Sequence, residues 1–239
     1  MRWIRNDLGE GTKGRRPPYN PPLNPHPLSL MFLAEEVGAK GPAFLGPMPV
    51  GRGFGGGQGP SVPGPPPKYP RILLTGPPQC GKTTVVQRVV ARFPGKAAGF
   101  YTREVRREGR RLGFEIVTLD GKKAWLSHVD FPGPFRVGKY GVNLENLHRV
   151  ALPALKVSPG IDLIVVDEIG KMECLSARFV QAMENLWAAP VPLLMTVAEK
   201  GGGYIQRVKE KPGAILITVT PANREELPAK ILQLLAGGT

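Results

Sequence analysis

RILLTGPPQCGKTT, residues 71–84, joins a short apolar run to a glycine-rich loop that matches the pattern G-x-x-x-x-G-K-[ST]. The run before the loop is typical of a buried strand, and VVQRVVARF after it is typical of a helix. In a strand–loop–helix unit of this kind, backbone N–H groups converge on phosphate oxygens and the helix adds its positive N-terminal end. The stretch therefore predicts a Walker A phosphate-binding loop, rather than a chance glycine-rich turn.

The predicted loop assigns a role to each polar side chain in it. Lys82 would reach the β- and γ-phosphates, the Thr83 hydroxyl would ligate Mg²⁺, and Thr84 would contact the α-phosphate. The residues predicted to bind the nucleotide phosphates are Gly76, Pro77, Pro78, Gln79, Cys80, Gly81, Lys82, Thr83 and Thr84.

A second motif, IDLIVVDEIGKME at 161–173, is an apolar run that ends in two acids. This is the Walker B arrangement, in which Asp167 at the carboxyl edge of a sheet holds Mg²⁺ through water. Glu168, the next residue, is placed to accept a proton from an attacking water, as a hydrolase requires. The alternative is that both acids only cap the following turn.

Beyond Arg71 the pattern of apolar and polar residues is typical of an α/β fold. Short apolar runs without polar alternation indicate strands of a parallel sheet that is covered on both faces, and they occupy 72–74, 163–166, 192–197 and 214–219. Apolar residues at helical spacing predict helices over 143–156, 176–188 and 222–235, with Pro153 kinking or shortening the first. Residues 101–127 interrupt this alternation and predict a β-hairpin insertion, with turns at 108–109 and 120–121.

The N-terminal third has a different composition. Proline and glycine make up 28 of the first 70 residues, a level typical of chains that form no packed core. We therefore predict a disordered extension over 1–69 and one folded domain over 70–239. Met31 and Met48 leave open the alternative that part of this extension is an upstream stretch that is not normally translated.

Charge and cysteine content narrow the class of protein further. The formal net charge of +13 favours polyanionic partners, including weak binding of nucleic acid through the basic surface. Five arginines lie within 103–111, either as a solvated outer face of the hairpin or as a contact to phosphates. No apolar run is long enough for a membrane span, and two cysteines favour a reducing, cytoplasmic location over a disulfide framework.

Four longer stretches resemble one known family. They are GFYTREVRREGRRLGFEIVTLDG (99–121), FRVGKYGVNLENLHRVALPAL (135–155), DEIGKMEC (167–174) and VTPANREEL (219–227). Together they resemble the small nucleoside-triphosphatases of thermophilic prokaryotes and the vertebrate cancer-related nucleoside-triphosphatase. The resemblance covers about 71–235 and implies a single P-loop domain that hydrolyses nucleoside triphosphates (NTPs) such as ATP and GTP, with Mg²⁺ and broad base tolerance.

The resemblance also extends to four residues outside the two Walker motifs. Arg136 and Lys171 match characteristic positions, where each either places positive charge on the γ-phosphate or forms a structural ion pair. Asn223 and Arg224 follow the last predicted strand, where they either contact the base or cap a helix. The sequence carries no signal that specifies an oligomeric state.

Two other classes of function compete with NTP hydrolysis. A nucleotide or small-molecule kinase would share the P-loop but would need an acceptor pocket and usually an arginine-rich lid, for which 103–111 is the candidate. A nucleotide-dependent binding module would act on RNA or a protein partner through the basic surface. Phosphate release without any acceptor separates the hydrolase from both alternatives.

Overall fold

The computed structural model describes residues 67–237. The predicted extension over 1–69 therefore lies outside the described residues, except for its last three. Within the described range the strands are β1 (Arg71–Thr75), β2 (Ala97–Arg107), β3 (Arg110–Thr118), β4 (Lys123–His128), β5 (Arg136–Val137), β6 (Tyr140–Val142), β7 (Leu163–Ile169), β8 (Leu193–Val197) and β9 (Ala214–Thr218).

The helices lie between these strands and after the last of them. They are α1 (Lys82–Val90), α2 (Leu144–Asn146), a π-helical turn (Leu147–Ala151), α3 (Leu152–Ala154), a 3₁₀ turn (Glu173–Leu175), α4 (Ala177–Trp187), α5 (Tyr204–Lys209) and α6 (Leu227–Ala236). None of the helices in the described range is long and apolar enough to cross a membrane.

All nine strands belong to one sheet, in the order β5-β6-β4-β3-β2-β7-β8-β1-β9. From β2 to β9 the neighbours run parallel, whereas from β2 to β5 they run antiparallel. The predicted α/β class, with a parallel core flanked by helices, is confirmed.

The inner strands of the parallel half, β7, β8 and β1, are apolar because both of their faces are covered, whereas the edge strand β9 leaves Leu216 exposed, so the prediction of full cover is wrong for that strand. Along β1, Leu73 packs into the cluster that contains Phe179 and Met183 of α4. Ile72 and Leu74 pack into the opposite cluster, with side chains of α1 and α6. Successive side chains of a strand point to opposite faces, so a run without polar alternation is what this sheet requires.

The predicted hairpin is confirmed, and it continues the main sheet. The first residues of β2 pair in parallel with β7, and residues from Phe100 onward pair antiparallel with β3. Glu108 and Gly109 form the tight turn with φ values of 49° and 74°. Because β2 pairs with β7 only as far as Tyr101 and continues to Arg107, the hairpin extends beyond its last pair with β7.

The predicted helices are confirmed in position but differ in detail. The segment predicted over 143–156 contains the π-helical turn directly before Pro153, which cannot donate a backbone N–H to the preceding turn. The last helix begins at Leu227, because turns occupy 221–226, whereas the pattern had predicted residue 222. The sequence pattern did not predict the short helix α5, which follows three glycines.

Candidate active site

The phosphate-binding loop leaves the carboxyl end of β1 and enters α1 at Gly81, which has φ of 107°. Gly76 has φ of 141°, and a Cβ atom there would lie 2.6 Å from the Val219 carbonyl oxygen. Both positions require glycine, because L side chains rarely adopt such φ values and Gly76 has no room for one. Cys80 is buried beneath the loop in the apolar cluster of α1 and α6.

Lys82, the first residue of α1, folds back over the loop. Its Nζ donates to the carbonyl oxygens of Gly76 and Pro77 at 2.9 and 3.2 Å. The side chain is largely buried, so its ammonium group is held at the mouth of the loop among backbone carbonyls.

Asp167 stands near the end of β7, where the pairing of β7 with β8 shifts register between Val166 and Ile169. Its carboxylate is almost fully buried, and Oδ1 accepts a hydrogen bond of 2.5 Å from the Thr196 hydroxyl of β8. Oδ2 is also buried and has no hydrogen-bond partner within the described range. Burial raises the pKa of Asp167, while the hydroxyls of Thr196 and Thr83 and the Lys82 charge lower it.

Glu168, the next residue, borders the open cleft. Burial raises the pKa of its carboxyl, and the charge of Asp167 raises it further, while the ammonium groups of Lys82 and Lys209 lower it. A carboxylate with a raised pKa is a better proton acceptor near neutral pH than an ordinary exposed glutamate.

The donor set beside Lys82 fits a magnesium ion. A hydroxyl from Thr83 and the unpartnered Oδ2 of Asp167 are hard oxygen ligands, the type that Mg²⁺ prefers. Within residues 67–237 no group of three or more His, Cys, Asp or Glu side chains is arranged to hold a metal alone. Mg²⁺ in P-loop sites is held mostly by substrate phosphates and water, with few protein ligands.

Lys82, Thr83 and Glu168 line one cavity of about 690 Å³, whereas the buried Asp167 is not part of its lining. The loop forms one side of it, and the ends of β7 and β8 with the hairpin form the other. Its lining comprises Gly76, Pro78, Gln79, Gly81, Lys82, Thr83, Thr84, Glu104, Arg111, Phe114, Glu168, Lys171, Ala198, Glu199 and Lys200.

The four residues taken from the family resemblance fall in different places. Lys171 lines the cavity. Arg136 does not, and its guanidinium donates to the carbonyl oxygens of Phe131 and Lys139 at the antiparallel end of the sheet. Arg224 lies against Gly81 and lines a smaller cavity of about 230 Å³ beside Thr84. Asn223 holds the turn before α6, donating to the Thr218 carbonyl oxygen and accepting from the Thr220 N–H.

The arginine run 103–111 divides between two environments. Arg103, Arg106 and Arg107 are exposed and pair with glutamates of the same hairpin. Arg111 instead lines the cavity, with its side chain one-third exposed. Of the two alternatives for this run, a solvated outer face describes Arg103, Arg106 and Arg107, whereas Arg111 lines the cavity.

Several residues that line the cavity or lie buried behind it were not predicted from the sequence. Thr196 is a single polar residue in the run PLLMTV, and its position beside the Walker B strand was the available signal. Glu104 and Phe114 belong to the hairpin, and no sequence signal linked them to the phosphate loop. Glu173 is buried behind Glu168, where its carboxyl Oε2 accepts from the Gly170 N–H at 3.1 Å.

Known proteins are similar to this chain in sequence and in fold. The family described as NTPase matches residues 71–232. The chain is 39% identical over 166 residues to nucleoside-triphosphatase THEP1 of Thermotoga petrophila, an alignment that covers 69% of this chain and 92% of the relative. It is 35% identical over 181 residues to the mouse cancer-related nucleoside-triphosphatase homolog, covering 69% and 95% of the two chains.

Solved structures agree with these matches. The crystal structure of THEP1 from Aquifex aeolicus superposes with a TM-score of 0.62 and 36% identity, covering 69% of this chain and 98% of that one. The solution structure of a human cancer-related nucleoside triphosphatase gives a TM-score of 0.59 at 35% identity, covering 69% and 96%. With its phosphate loop, its paired acids and this similarity along the sheet, the chain belongs to the NTPase family.

Proposed function

We propose that this protein hydrolyses nucleoside 5′-triphosphates to the diphosphate and phosphate, in a reaction that depends on Mg²⁺. The observation that carries the proposal is the shared cavity, in which Lys82, Thr83 and Glu168 line one space. The relatives' names describe the same activity, nucleoside-triphosphatase.

In this proposal the loop binds and orients the triphosphate. Its backbone N–H groups hold the phosphates, and Lys82 exchanges its carbonyl partners Gly76 and Pro77 for the β- and γ-phosphate oxygens. The exchange keeps the ammonium group paired, because one set of oxygen acceptors replaces another.

Thr83 and Asp167 are proposed to hold Mg²⁺, Asp167 through water. A bound ion there would neutralise charge on the β- and γ-phosphates. Thr196 keeps the Asp167 carboxylate in place, because its hydroxyl occupies one carboxylate oxygen and leaves the other for the metal's water shell.

Glu168 is proposed as the general base. It accepts a proton from the water that attacks the γ-phosphorus, and its raised pKa suits that task near neutral pH. Asn223 and Arg224 are proposed to border the base. A flat guanidinium stacks on any nucleobase, which fits tolerance of several bases.

The other predicted properties remain proposals. Free cysteines at 80 and 174 fit a reducing, cytoplasmic location. Weak nucleic-acid binding is supported by the net charge of +13, although glutamates offset much of the hairpin's charge. The kinase alternative finds no support among the relatives, whose names describe triphosphatases.

The deciding experiment compares nucleotide binding with phosphate release in two variants. Glu168→Gln keeps size and hydrogen bonding but loses the base, so NTP still binds while hydrolysis falls by roughly 10²–10⁴-fold. Asp167→Asn weakens the hold on the metal, so both magnesium-dependent binding and hydrolysis fall. Binding is measured by fluorescence of a labelled nucleotide and turnover by released phosphate, without any acceptor.

The control is Glu210→Gln, which removes the same charge from an exposed residue at the end of α5. We expect it to keep both nucleotide binding and phosphate release. Unchanged phosphate release in Glu168→Gln would remove Glu168 as the base. Negligible release by the unaltered protein, together with transfer to a nucleoside or nucleotide acceptor, would replace the hydrolase with the kinase.

A further inference from the structure

The β2–β3 hairpin contains a bulge at Leu112 that changes which way Arg111 faces. Val105 is paired with Gly113 and Arg106 with Arg111, so Leu112 has no partner of its own on β2. An extra residue of this kind reverses the alternation of side chains. Arg111 therefore shares a face with Glu104 and Phe114, from which regular alternation would have separated it.

The contacts of Arg111 agree with this register. Its guanidinium forms an ion pair of 2.5 Å with Glu104 and stacks over the Phe114 ring at 5.4 Å from the centroid. All three residues line the cavity that contains Lys82 and Glu168. The bulge thus brings a cation of the antiparallel extension into the phosphate-binding cleft.

Among the cations that line the cavity opposite the phosphate loop, Arg111 is the one whose position is best fixed by neighbouring side chains. Lys171 and Lys200 line the same cavity, but both are exposed and lie on turns outside the strands. Arg111 belongs to a strand, stacks on an aromatic ring and is tied to a carboxylate. Preorganised charge of this kind costs little reorganisation during a reaction, and a guanidinium fits phosphate oxygens bidentately.

We propose that Arg111 is a further catalytic residue, which places positive charge on the transferred γ-phosphoryl group. This inference rests on the proposed NTP hydrolysis. The attacking water forms the new O–P bond and gives its proton to Glu168, and the bond from the γ-phosphorus to the β–γ bridging oxygen breaks. The electron pair of that bond leaves with the diphosphate. Arg111 stabilises the equatorial γ-phosphoryl oxygens as this occurs, and Glu104 positions it.

The test separates transition-state stabilisation from nucleotide binding. In Arg111→Ala, kcat for phosphate release falls about 10²–10³-fold, while the Kd for a non-hydrolysable NTP changes less than about threefold. Nucleoside diphosphate with aluminium fluoride and Mg²⁺, which mimics the transferring phosphoryl group, is retained by the unaltered protein and lost by the variant. Added guanidinium restores part of the rate.

Two neighbouring arginines provide matched controls. Arg110→Ala removes the same charge from the adjacent, exposed residue of β3, and Arg106→Ala removes another partner of Glu104; neither residue lines the cavity. Both variants keep kcat and the aluminium fluoride complex. Arg111→Lys provides a second variant that keeps the charge without the planar fork, and it retains part of the lost rate.

Each outcome has a distinct meaning. Absence of phosphate release by the unaltered protein would overturn the proposed function itself. If the unaltered protein is active, two results would overturn the role of Arg111. One is an Arg111→Ala variant that keeps kcat within about threefold. The other is a variant with unchanged kcat whose NTP affinity and kcat/KM fall by the same factor. If Arg111→Ala does not fold by circular dichroism, an Arg111→Lys variant with full kcat and full aluminium fluoride affinity would overturn it as well.

Discussion

Glu173 is a buried carboxyl that stands behind the cleft. Burial raises its pKa to about 8, and the charges of Glu168 and Asp167 act in the same direction, while the backbone N–H groups of Gly170 and Glu173 itself lower it. At neutral pH the folded protein therefore keeps a proton on Glu173 that the unfolded chain has released. The stability contributed by this group is full below its ordinary pKa of 4.5 and is lost as pH rises through about 8.

We therefore expect Glu173→Gln to gain stability relative to the unaltered protein as pH rises. The amide is neutral at both pH values. The free energy of unfolding of the variant, relative to that of the unaltered protein, therefore rises by about 1–3 kcal/mol from pH 5 to pH 8. Urea denaturation at both pH values measures it. Glu210→Gln, which is exposed, should show no such trend. A difference that is the same at both pH values would contradict the raised pKa.

At the scale of elements, Ser176 connects α4 to the helical segment before β7. Its hydroxyl accepts from the Phe179 N–H at 3.1 Å as the N-cap of α4, and it also contacts His148 Nε2 at 2.7 Å. Burial lowers the pKa of His148, and the charge of Arg178 lowers it further, so the imidazole shares this hydrogen bond with the hydroxyl in its neutral form. The Ser176 side chain thus provides a hydrogen-bond partner for a backbone N–H of α4 and for the His148 imidazole of the preceding helical segment.

Ser176→Ala should destabilise the fold by about 1–2 kcal/mol, because α4 loses its cap and His148 loses its partner. Urea denaturation measures the change, and phosphate release should be unaffected because Ser176 does not line the cleft. Ser158→Ala, at an exposed turn, is the control and should change stability by less than about 0.5 kcal/mol. Equal stability of the two variants would show that the cap is unimportant.

At the scale of the whole molecule, Arg71 ties the start of the folded region to the sheet. Its buried guanidinium donates to the carbonyl oxygens of Trp187, Ala189 and Val191, and to those of Tyr69 and Pro70. The Pro70 carbonyl also accepts from the Leu193 N–H at 2.9 Å. Backbone carbonyl groups just before β1 therefore bind the same guanidinium as carbonyl groups more than a hundred positions further along the chain.

Two truncations test where the domain begins. Removal of residues 1–66 should leave the melting temperature and turnover unchanged, because their composition does not support a packed core. Removal of residues 1–70 should lower stability by about 1.5–3 kcal/mol, because Arg71 loses two acceptors while it stays buried. Thermal denaturation and phosphate release measure both. A fall of several degrees in the first truncation would show that the extension docks on the domain.

The sequence by itself determined the elements whose chemistry is local. The phosphate loop, its flanking strand and its helix lie within about twenty consecutive residues, and the glycines, Lys82 and Thr83 carry their roles in their order along the chain. The uniformly apolar runs predicted the parallel strands, because a strand covered on both faces needs no polar side chain. The hairpin turn was equally readable from Glu108 and Gly109.

Only the tertiary structure decided which distant residues meet at the cleft. Thr196 reaches Asp167 because β8 happens to lie beside β7, and sheet order is a property of the whole fold. Arg136 matches a family position yet lies at the far end of the sheet, whereas Arg111 lines the cavity. The bulge at Leu112 reverses the alternation on which any strand prediction relies, and it forms only when β2 and β3 pair. The direction of Arg111 is therefore set by register between strands, which no local pattern records.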